Sequence, residues 1–501
     1  MFLLRPRVAD IKIIGYYLGR LILGIGYAML IPLILSLFNR EWAPAIDFVI
    51  AVSLSLIIGY FLQIFCYTRR EIGWVHGVLV VPIAWLVAMT LGAVPLYLSG
   101  HFASFLDAAF DTMSGFATTG LALVQDMDHL SYGHNLWRHL TMFIGGQGIV
   151  VITITLMTSG AAGIYGMYVG EAREEKILPN LRHTARFIWL VSFIYLGVGT
   201  VTLSLVGWQI GMPPLRALFH GVTVFMAAFD TGGFTPQSQS ILYYHSAAYE
   251  FATMPFMVAG GINFALHYAL FTGKRREIYK NAETITLAAT ISLTFALTAL
   301  ALAQIGAYGD TFSVLRRGFY QVVSAHTGTG FMTIYGPQFP DLWGPLAMIG
   351  VAFAMGLGAS AGSTAGGIKS LRVMAMTKAF ILEVRSLLLP PSAVIMDKYH
   401  HLKNNVITER LLLNAFIIGS AYVFTYLAGG VIGMYFGYPF VDALFESTSA
   451  AGNVGLTSGI TLPSMPDALK VVYIIEMWVG RLEFISIMAL VGFIVSAVRG
   501  R

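Results

Sequence analysis

Long apolar blocks alternate with short polar segments over the whole length of the chain. Ten of these blocks are long enough to cross a lipid bilayer, which takes about 20 apolar residues in a helix. They lie at residues 12–38, 44–66, 74–99, 136–158, 186–208, 250–272, 284–306, 344–379, 411–435 and 469–497. Because backbone polar groups in a bilayer must be paired within the protein, blocks of this length predict helices. The pattern therefore predicts an all-α polytopic membrane protein.

Composition supports this class and argues against several others. Of the 501 residues, 57% are hydrophobic and 11% are charged, whereas soluble domains carry about 25% charged residues. A soluble enzyme, a disordered chain and a disulfide-stabilised scaffold all fit these values poorly. Cys66 is the single cysteine of the sequence, so it cannot form an internal disulfide, and we interpret it as a small apolar residue.

The basic residues gather in clusters between the apolar blocks. The net charge of +5 alone could suggest a nucleic-acid partner, but clusters on alternate connections mark the cytoplasmic side of membrane proteins. The clusters are Arg5, Arg7 and Lys12; Arg69 and Arg70; Arg173, Lys176, Arg182 and Arg186; Lys274, Arg275, Arg276 and Lys280; Lys369, Arg372, Lys378, Arg385, Lys398, Lys403 and Arg410; and Arg499 and Arg501. We therefore expect both termini in the cytoplasm, a first helix that is retained as an anchor, and no nucleic-acid binding.

Four shorter apolar segments recur on the side opposite to these clusters. They lie at residues 104–117, 215–229, 313–326 and 440–451, and each is followed by a turn rich in glycine or threonine. Ordinary external loops have little reason to share this pattern. A unit used four times explains it: a helix, a short helix that enters the membrane, a glycine turn and a second helix. The predicted units are residues 71–180, 181–280, 281–400 and 401–501, and residues 1–70 form a two-helix N-terminal addition.

The repeated unit indicates a cation pore. A helix that ends inside the membrane directs its C-terminal carbonyl groups, and about half a negative charge, at the membrane centre. Glycine adopts positive φ angles readily, and rings of backbone carbonyls replace the hydration shell of K⁺ in selectivity filters. The four turns end at Gly120, Gly233, Gly330 and Gly455. The sequence thus predicts four pseudo-repeated helix–pore-helix–filter-loop–helix units around a central pore.

Several motifs of these units are similar to those of one family. MSGFATTG at Met113–Gly120, GGQGIVV from Gly145, GASAGSTAGGIK at Gly358–Lys369 and VGRLEF at Val479–Phe484 resemble the Trk/Ktr/HKT superfamily of potassium transporters. The closest resemblance is to its TrkH-type membrane subunit. It covers essentially the whole chain, including the two additional N-terminal helices.

The resemblance implies K⁺ uptake across the plasma membrane through a channel-like pore with a backbone-carbonyl selectivity filter. The implied K⁺-binding residues are Thr118, Thr119, Gly120, Thr231, Gly232, Gly233, Gly328, Thr329, Gly330, Asn453, Val454 and Gly455. In this superfamily, glycine in all four turns goes with K⁺ selectivity, and serine in the first turn goes with Na⁺ permeation.

Three residues depart from the family pattern and leave discrimination against Na⁺ open. They are Asp230, His326 and the additional Gly328. Asp230 is either a capping residue or a negative charge at the mouth of the pore. His326 is either a packed pore-helix residue or a pH sensor.

A run of small residues interrupts the eighth apolar block. Five glycines fall between Gly356 and Gly367, and each costs a helix interior about 1 kcal/mol relative to alanine. Close helix packing is one explanation, but irregular backbone that lines a cavity fits better. The resemblance implies an intramembrane gate loop below the filter, formed by Gly358, Ser360, Gly362, Ser363, Thr364, Gly366 and Gly367.

Arg481 is a charged residue inside the last apolar block. A cation in a bilayer core costs at least ~2.5–3.5 kcal/mol, so we expect it to be paired or to face water. It forms an interhelical ion pair, for which Glu476 and Glu483 are near in sequence, or it modulates conduction from the pore wall, as the resemblance implies. The two roles are compatible.

Partners and cofactors follow from the resemblance alone. The chain contains no Gly-x₄-Gly-Lys-Ser/Thr phosphate loop, so nucleotide regulation would need another chain. The resemblance implies a homodimer in the bacterial inner membrane and a cytosolic nucleotide-binding regulatory subunit of the TrkA type. It implies no covalent cofactor, with K⁺ as the transported ion, and it leaves coupling to H⁺ or Na⁺ open.

Two other function classes are weaker. A secondary transporter of a small solute with discontinuous helices is the alternative, although such proteins typically have two inverted halves rather than four repeats in one direction. An integral membrane enzyme is disfavoured, because the sequence contains neither His-Glu-x-x-His nor Gly-x-Ser-Gly.

Overall fold

Helices make up nearly all of the regular structure, as the apolar blocks predict. The computed structural model describes residues 8–149, 151, 154, 161–173, 177, 180–390 and 397–499. Within these ranges, seven helices are long and apolar enough to cross a membrane, and two bent helix pairs also pass the test. Eight of the ten predicted blocks coincide with them, and the block at residues 344–379 overlaps the span Gly336–Gly356 in its first part only. The block at residues 136–158 extends outside the described ranges. Four residues of the basic clusters also lie outside them: Arg5, Arg7, Lys176 and Arg501. The predicted location of the two termini therefore lies outside the described residues.

The N-terminal addition packs its helices closely and is joined to the units that follow. Its described helices are α1 (Val8–Ala28), α2 (Leu30–Phe38) and α3 (Trp42–Phe65). A Cβ on Gly19 would come within 2.8 Å of the carbonyl oxygen of Gly59, so small residues allow α1 and α3 to approach. The Glu41 carboxylate accepts the backbone N–H groups of Tyr132 (3.0 Å) and Gly133 (3.3 Å), which joins the addition to the first unit.

Each of the four units has a long helix, a short helix and a second long helix or helix pair. The first has α4 (Trp74–Leu98), α5 (Phe105–Phe116), α6 (Tyr132–Gln147) and α7 (Ala161–Gly170). The second has α8 (Leu181–Gln209), α9 (Pro214–Phe229), α10 (Ala247–Gly261), α11 (Phe264–Phe271) and α12 (Glu277–Lys280). The third has α13 (Ala282–Ile305), α14 (Phe319–His326), α15 (Phe339–Gly356) and α16 (Ser370–Ser386). The fourth has α17 (Glu409–Tyr435), α18 (Phe440–Ala451), α19 (Asp467–Arg481) and α20 (Ile485–Val498).

The short helices α5, α9, α14 and α18 lie where the sequence predicts them. Ser104 caps α5 by accepting the backbone N–H of Asp107 at 3.2 Å, and Pro214 opens α9 with the φ angle that a first helical residue needs. The third short helix is extended at its start by Thr311–Ser313 and a π-helical turn at Val314–Gly318. The exact boundaries of the four predicted units stay predictions.

The second long helix is broken in more units than the sequence indicates. We expected an interruption in the third unit, where α15 and α16 are indeed separated by the glycine-rich run. The pairs α10–α11 and α19–α20 are also bent, by 103° and 110°, and α6 ends just before Gly148, whose φ is 95°. In these three units the second helix contacts the end of the short helix at a glycine. A Cβ at that glycine would lie well under 3.0 Å from a short-helix carbonyl oxygen: Gly145 from Phe116, Gly260 from Phe229 and Gly480 from Ala451.

A small β-hairpin, which the sequence analysis did not predict, follows α16. Strands β1 (Lys398–His401) and β2 (Lys403–Val406) pair antiparallel, with Lys398 opposite Val406. Polar residues dominate both strands, so no apolar alternation marks them. The hairpin lies against the end of the second unit, because His400 Nε2 is 2.8 Å from the carboxylate of Glu277 in α12.

A buried ion pair joins the short helix to the second long helix in the first unit. Arg138 donates to both carboxylate oxygens of Asp111, at 2.8 and 3.4 Å, and both side chains are fully buried. The guanidinium also stacks over the ring of Phe234, 4.0 Å away, so it connects the first unit to the second. Removal of one partner of such a pair leaves an uncompensated buried charge.

We therefore expect Asp111→Asn to destabilise the protein. The cost of breaking a buried pair is about 3–5 kcal/mol, so the melting temperature of the detergent-purified protein should fall by several degrees. Asp126→Asn is the matched control, because Asp126 lies in a solvent-exposed loop and contacts His129. Equal melting temperatures for the two variants would contradict the structural role of the pair.

Candidate functional site

Four glycine turns follow the four short helices and share one backbone conformation. We call them the first (Thr118–Gly120), second (Thr231–Gly233), third (Gly328–Gly330) and fourth (Asn453–Gly455) turns. In each, the first and last residues have positive φ. The angles are 53° at Thr118, 97° at Gly120, 50° at Thr231, 71° at Gly233, 75° at Gly328, 80° at Gly330, 53° at Asn453 and 94° at Gly455. The additional Gly328 thus occupies the left-handed position that threonine or asparagine holds in the other turns.

The middle residue of each turn points its N–H back at the preceding short helix. The acceptor is in each case the carbonyl five residues earlier. The distances are 2.8 Å from Thr119 to Ser114, 2.8 Å from Gly232 to Ala227, 2.8 Å from Thr329 to Ser324 and 2.9 Å from Val454 to Ser449. Among the described residues, no group donates a hydrogen bond to any carbonyl oxygen of the twelve turn residues. These oxygens are therefore available to a ligand.

The four turns close into a ring. A Cβ added to the last glycine of any turn would lie well under 3.0 Å from the middle carbonyl oxygen of the next turn. The pairs are Gly120 with Gly232, Gly233 with Thr329, Gly330 with Val454, and Gly455 with Thr119. The contacts run from the first turn to the fourth and back to the first, so the repeat in sequence becomes a pseudo-fourfold arrangement in space. A side chain at any of the four glycines would displace the neighbouring carbonyl.

Two features of the surroundings favour a cation at this ring, which we call the carbonyl ring. Short-helix C-termini precede all four turns, and each contributes about half a negative charge. A cavity of about 300 Å³ opens on the other side, lined by all four terminal glycines and by the residues that follow them, such as Leu121 and Phe234. The cavity gives access to the ring from one face of the molecule.

The interrupted segment (Gly358–Gly367) lies against the second and fourth units next to the ring. The Thr364 hydroxyl contacts the carbonyl oxygens of Phe229 and Gly260, each at 3.0 Å, and lies 3.1 Å from the hydroxyl of Thr231 in the second turn. A Cβ on Gly366 would meet the carbonyl oxygen of Gly452, just before the fourth turn. The segment therefore extends from one side of the ring to the other.

The predicted residues of this segment have structural partners within the protein. The Ser360 N–H donates to the carbonyl of Gly261 at 3.0 Å, and the Ser363 hydroxyl donates to the carbonyl of Ser360 at 2.7 Å. Gly358, Gly362 and Gly367 have positive φ angles of 28°, 64° and 71°. The run is an irregular turn, as expected, and not a continuous helix that is packed through small residues.

Arg481 contacts backbone carbonyls on two other units. Its guanidinium donates to the carbonyl oxygens of Thr364, of Gly145 (2.6 Å) and of Gly146 (3.3 Å). The ion pairs considered for it are not found among the described residues: Glu483 pairs with Arg372, and Glu476 accepts a hydrogen bond from Ser447 at 3.0 Å. Arg481 thus ties the fourth unit to the interrupted segment of the third and to the broken helix end of the first.

Two further cations belong to this site, Arg173 and Lys369. The sequence analysis placed both in basic clusters and Lys369 also at the end of the GASAGSTAGGIK motif, but it gave neither a role at the site. The Arg173 guanidinium donates to the carbonyls of Gly146 (3.1 Å) and Gln147 (3.0 Å). The Lys369 ammonium donates to the carbonyl of Ala365. Together with Arg481 they line a cavity of about 20 Å³. The one signal in the sequence was the position of Lys369, two residues after the glycine run ends at Gly367.

The remaining departures from the family pattern, Asp230 and His326, are both buried at the ends of short helices. Asp230 is fully buried at the end of α9 and accepts a hydrogen bond from the side chain of Gln147 at 2.7 Å. It is not among the residues that line the 300 Å³ cavity, and both interpretations of Asp230 stay predictions. His326 is fully buried at the last position of α14, in keeping with a packed residue.

Comparisons with known proteins agree with this architecture. A family model described as TrkH, cation transport protein, matches residues 46–496. An uncharacterised cation transporter of Methanocaldococcus jannaschii is 29% identical over 96% of this chain and 95% of its own length. The Trk system potassium uptake protein TrkH of Salmonella typhimurium is 28% identical over 94% and 96% of the two chains. The crystal structure of the potassium transporter TrkH from Vibrio parahaemolyticus superposes with a TM-score of 0.81 at 25% identity, covering 96% of this chain and 98% of that one. The chain therefore belongs to the TrkH family of cation transport proteins and is a multi-pass membrane protein.

Proposed function

We propose that this protein takes up K⁺ through a channel-like pore in which the carbonyl ring is the selectivity filter. The observation that carries the proposal is the closure of four turns into one ring of unpaired carbonyl oxygens. Such oxygens replace the hydration shell of K⁺. The potassium uptake proteins among the relatives support K⁺ as the ion.

The charge balance of the ring supports a monovalent cation. Its twelve residues include no carboxylate or other ionised side chain, so the attraction comes from carbonyl dipoles and short-helix ends. Binding to dipoles alone is strong enough to admit an ion and weak enough to release it, which conduction requires.

We propose further that the interrupted segment is the gate and that Arg481 holds it shut. Arg481 and Lys369 donate to the carbonyls of Thr364 and Ala365, which lie next to the ring. A buried positive charge at this depth repels an approaching cation, since charges in a low-dielectric site are poorly screened. Opening would require both side chains to leave these carbonyls.

The orientation and the assembly complete the proposal. The basic clusters, including Lys274–Lys280 and the hairpin lysines, support a cytoplasmic location for the face that carries the β-hairpin. We propose a homodimer in a bacterial inner membrane with both termini in the cytoplasm, regulated by a cytosolic nucleotide-binding subunit. The basic face would be the docking surface for that subunit.

Uptake of K⁺ can be tested in a bacterium that lacks its own K⁺ uptake systems. We expect expression of the chain to restore growth at low external K⁺ and to give uptake of Rb⁺ that exceeds uptake of Na⁺. The same bacterium with an empty expression vector serves as the control for growth without the protein. Growth that stays dependent on high K⁺, despite normal membrane insertion, would contradict the proposal.

Selectivity should depend on the terminal glycines of the turns. In Gly330→Ser the new side chain would displace the carbonyl of Val454, so the ratio of K⁺ to Na⁺ permeability should fall. A loss of about 1.4 kcal/mol in differential binding corresponds to a tenfold fall. Gly197→Ser is the matched control, because nothing lies within 4 Å of a Cβ at that position. An unchanged ratio in Gly330→Ser, measured by reversal potential or paired tracer flux, would argue against the filter assignment.

Gating should depend on the interrupted segment. Deletion of Gly362–Gly367 removes Thr364 and Ala365, which Arg481 and Lys369 hold in place, so the basal Rb⁺ leak of proteoliposomes should increase. The ratio of Rb⁺ to Na⁺ leak reports whether the ring has survived the deletion. A leak that is unchanged or lower, in a protein that still folds and inserts, would rule out the gate.

A further inference from the structure

The interrupted segment is held at its start by a buried carboxylate. Glu283, in the first turn of α13, accepts the backbone N–H of Ala361 on Oε1 at 2.8 Å. The side chain is 1% exposed, so its charge depends on the groups around it. Ala361 lies between Ser360 and Gly362, within the segment that we assign as the gate. Glu283 therefore holds the gate at a point distinct from the one that Arg481 holds.

The second oxygen of the same carboxylate faces the β-hairpin. Glu283 Oε2 lies 3.7 Å from Nδ1 of His401 at the end of β1, and it accepts from the side-chain amide of Asn263 at 3.3 Å. Asn263 caps α11 through the backbone N–H of Ala265. One carboxylate thus joins the gate segment, the broken helix of the second unit and the hairpin.

The hairpin is attached to the rest of the protein as one body. His400 contacts Glu277 at 2.8 Å, and Asn281 contacts His401 at 3.2 Å. Lys378 of α16 donates to Asp397 (3.0 Å) and to the carbonyl of Lys398 (2.6 Å). A displacement of the hairpin would therefore act on α13 and α16 together, on both sides of the gate segment.

We propose that Glu283 is a positioning residue for the gate and that it transmits the position of the β-hairpin to the interrupted segment. The proposal rests on the gate assignment made above. When the hairpin moves, the carboxylate loses the imidazole beside Oε2, and the free energy of its buried charge rises. The Glu283 carboxylate then moves toward other hydrogen-bond donors or water. This movement changes its hydrogen bond with the N–H of Ala361 in the interrupted segment. A protein that binds the hairpin could thus act on the gate without touching the pore.

Accessibility of a single cysteine in the gate tests this coupling directly. The chain has one cysteine, Cys66, so Cys66→Ala gives a cysteine-free background into which Ser363→Cys can be placed. We measure the rate at which a charged thiol reagent modifies this position in the full-length protein in proteoliposomes. His401→Ala should raise the rate roughly fivefold or more, the lower end of usual coupling between sites, and Glu283→Ala should raise it as well.

Glu283→Gln separates the two contacts of the carboxylate. Glutamine can still accept the Ala361 N–H on its oxygen, whereas its neutral amide removes the negative charge that faces the imidazole at 3.7 Å. In this background, His401→Ala should therefore add nothing to the rate. Glu250→Gln is the control, since Glu250 is a buried carboxylate that pairs with Arg316 and does not contact the segment; it should leave the rate unchanged.

The proposal would be overturned by either of two results. One is an unchanged modification rate in His401→Ala. The other is an effect of His401→Ala that is equally large in the Glu283→Gln background, because the two residues would then act independently. The leak of the Gly362–Gly367 deletion reports on the gate assignment by itself. If the deletion leaves the leak unchanged while His401→Ala raises the modification rate only when Glu283 is present, the gate is refuted but not the coupling. If the deletion raises the leak while His401→Ala acts equally in the Glu283→Gln background, the coupling is refuted but not the gate.

Discussion

A ring of unpaired backbone carbonyls inside a membrane protein is the constraint on which the rest of this structure depends. An unsatisfied buried polar group costs about 1–3 kcal/mol, and irregular backbone at membrane depth persists only where protein encloses it or water reaches it. In the proposed filter, four turns therefore meet closely enough to share a bound ion. That closeness is what requires glycine at the end of each turn, because each neighbour's carbonyl occupies the place of a Cβ.

Each unit fixes the same turn with different side chains. Ser114 and Ser449 accept the N–H of the terminal glycine on their hydroxyl groups, at 2.9 Å in both cases. In the second and third units that N–H is 3.3 Å from the backbone carbonyls of Ala227 and Ser324. The fourth unit adds Glu446, whose carboxylate accepts the N–H groups of Ser458 (2.8 Å) and Thr461 (3.0 Å) in the chain that leaves the turn. The backbone geometry is thus common to the units, while its side-chain support is specific to each.

Local features of this fold are readable from the sequence, and contacts between distant residues are not. The short helix α18 runs over Phe440–Ala451, the range predicted, because its apolar stretch, its preceding proline and its glycine turn are adjacent in the chain. The carbonyl partners of Arg481 lie 117 and 336 residues away, so the sequence left its role open between an ion pair and the pore wall. The bend after α19 was missed for the same reason, since Gly480 matters through its approach to Ala451. The hairpin was missed because its strands are polar and short.

The broken helices create the same physical problem as the ring and solve it differently. A helix that ends inside the protein leaves carbonyl groups without partners. At the end of α6 these groups are paired with Arg173 and Arg481, and in the interrupted segment with Arg481 and Lys369. In the ring, the proposed partner is the transported ion itself. The side-chain cations Arg481 and Lys369 bind carbonyls of the interrupted segment, and the transported cation would bind the neighbouring carbonyl ring. Two positive charges on neighbouring sites repel each other strongly in a poorly screened interior, so occupancy of one site disfavours occupancy of the other. In the proposed gate, the residues that stabilise the broken helices are also those that oppose the passage of the ion, so the proposal gives stability of the closed state and resistance to conduction a common origin.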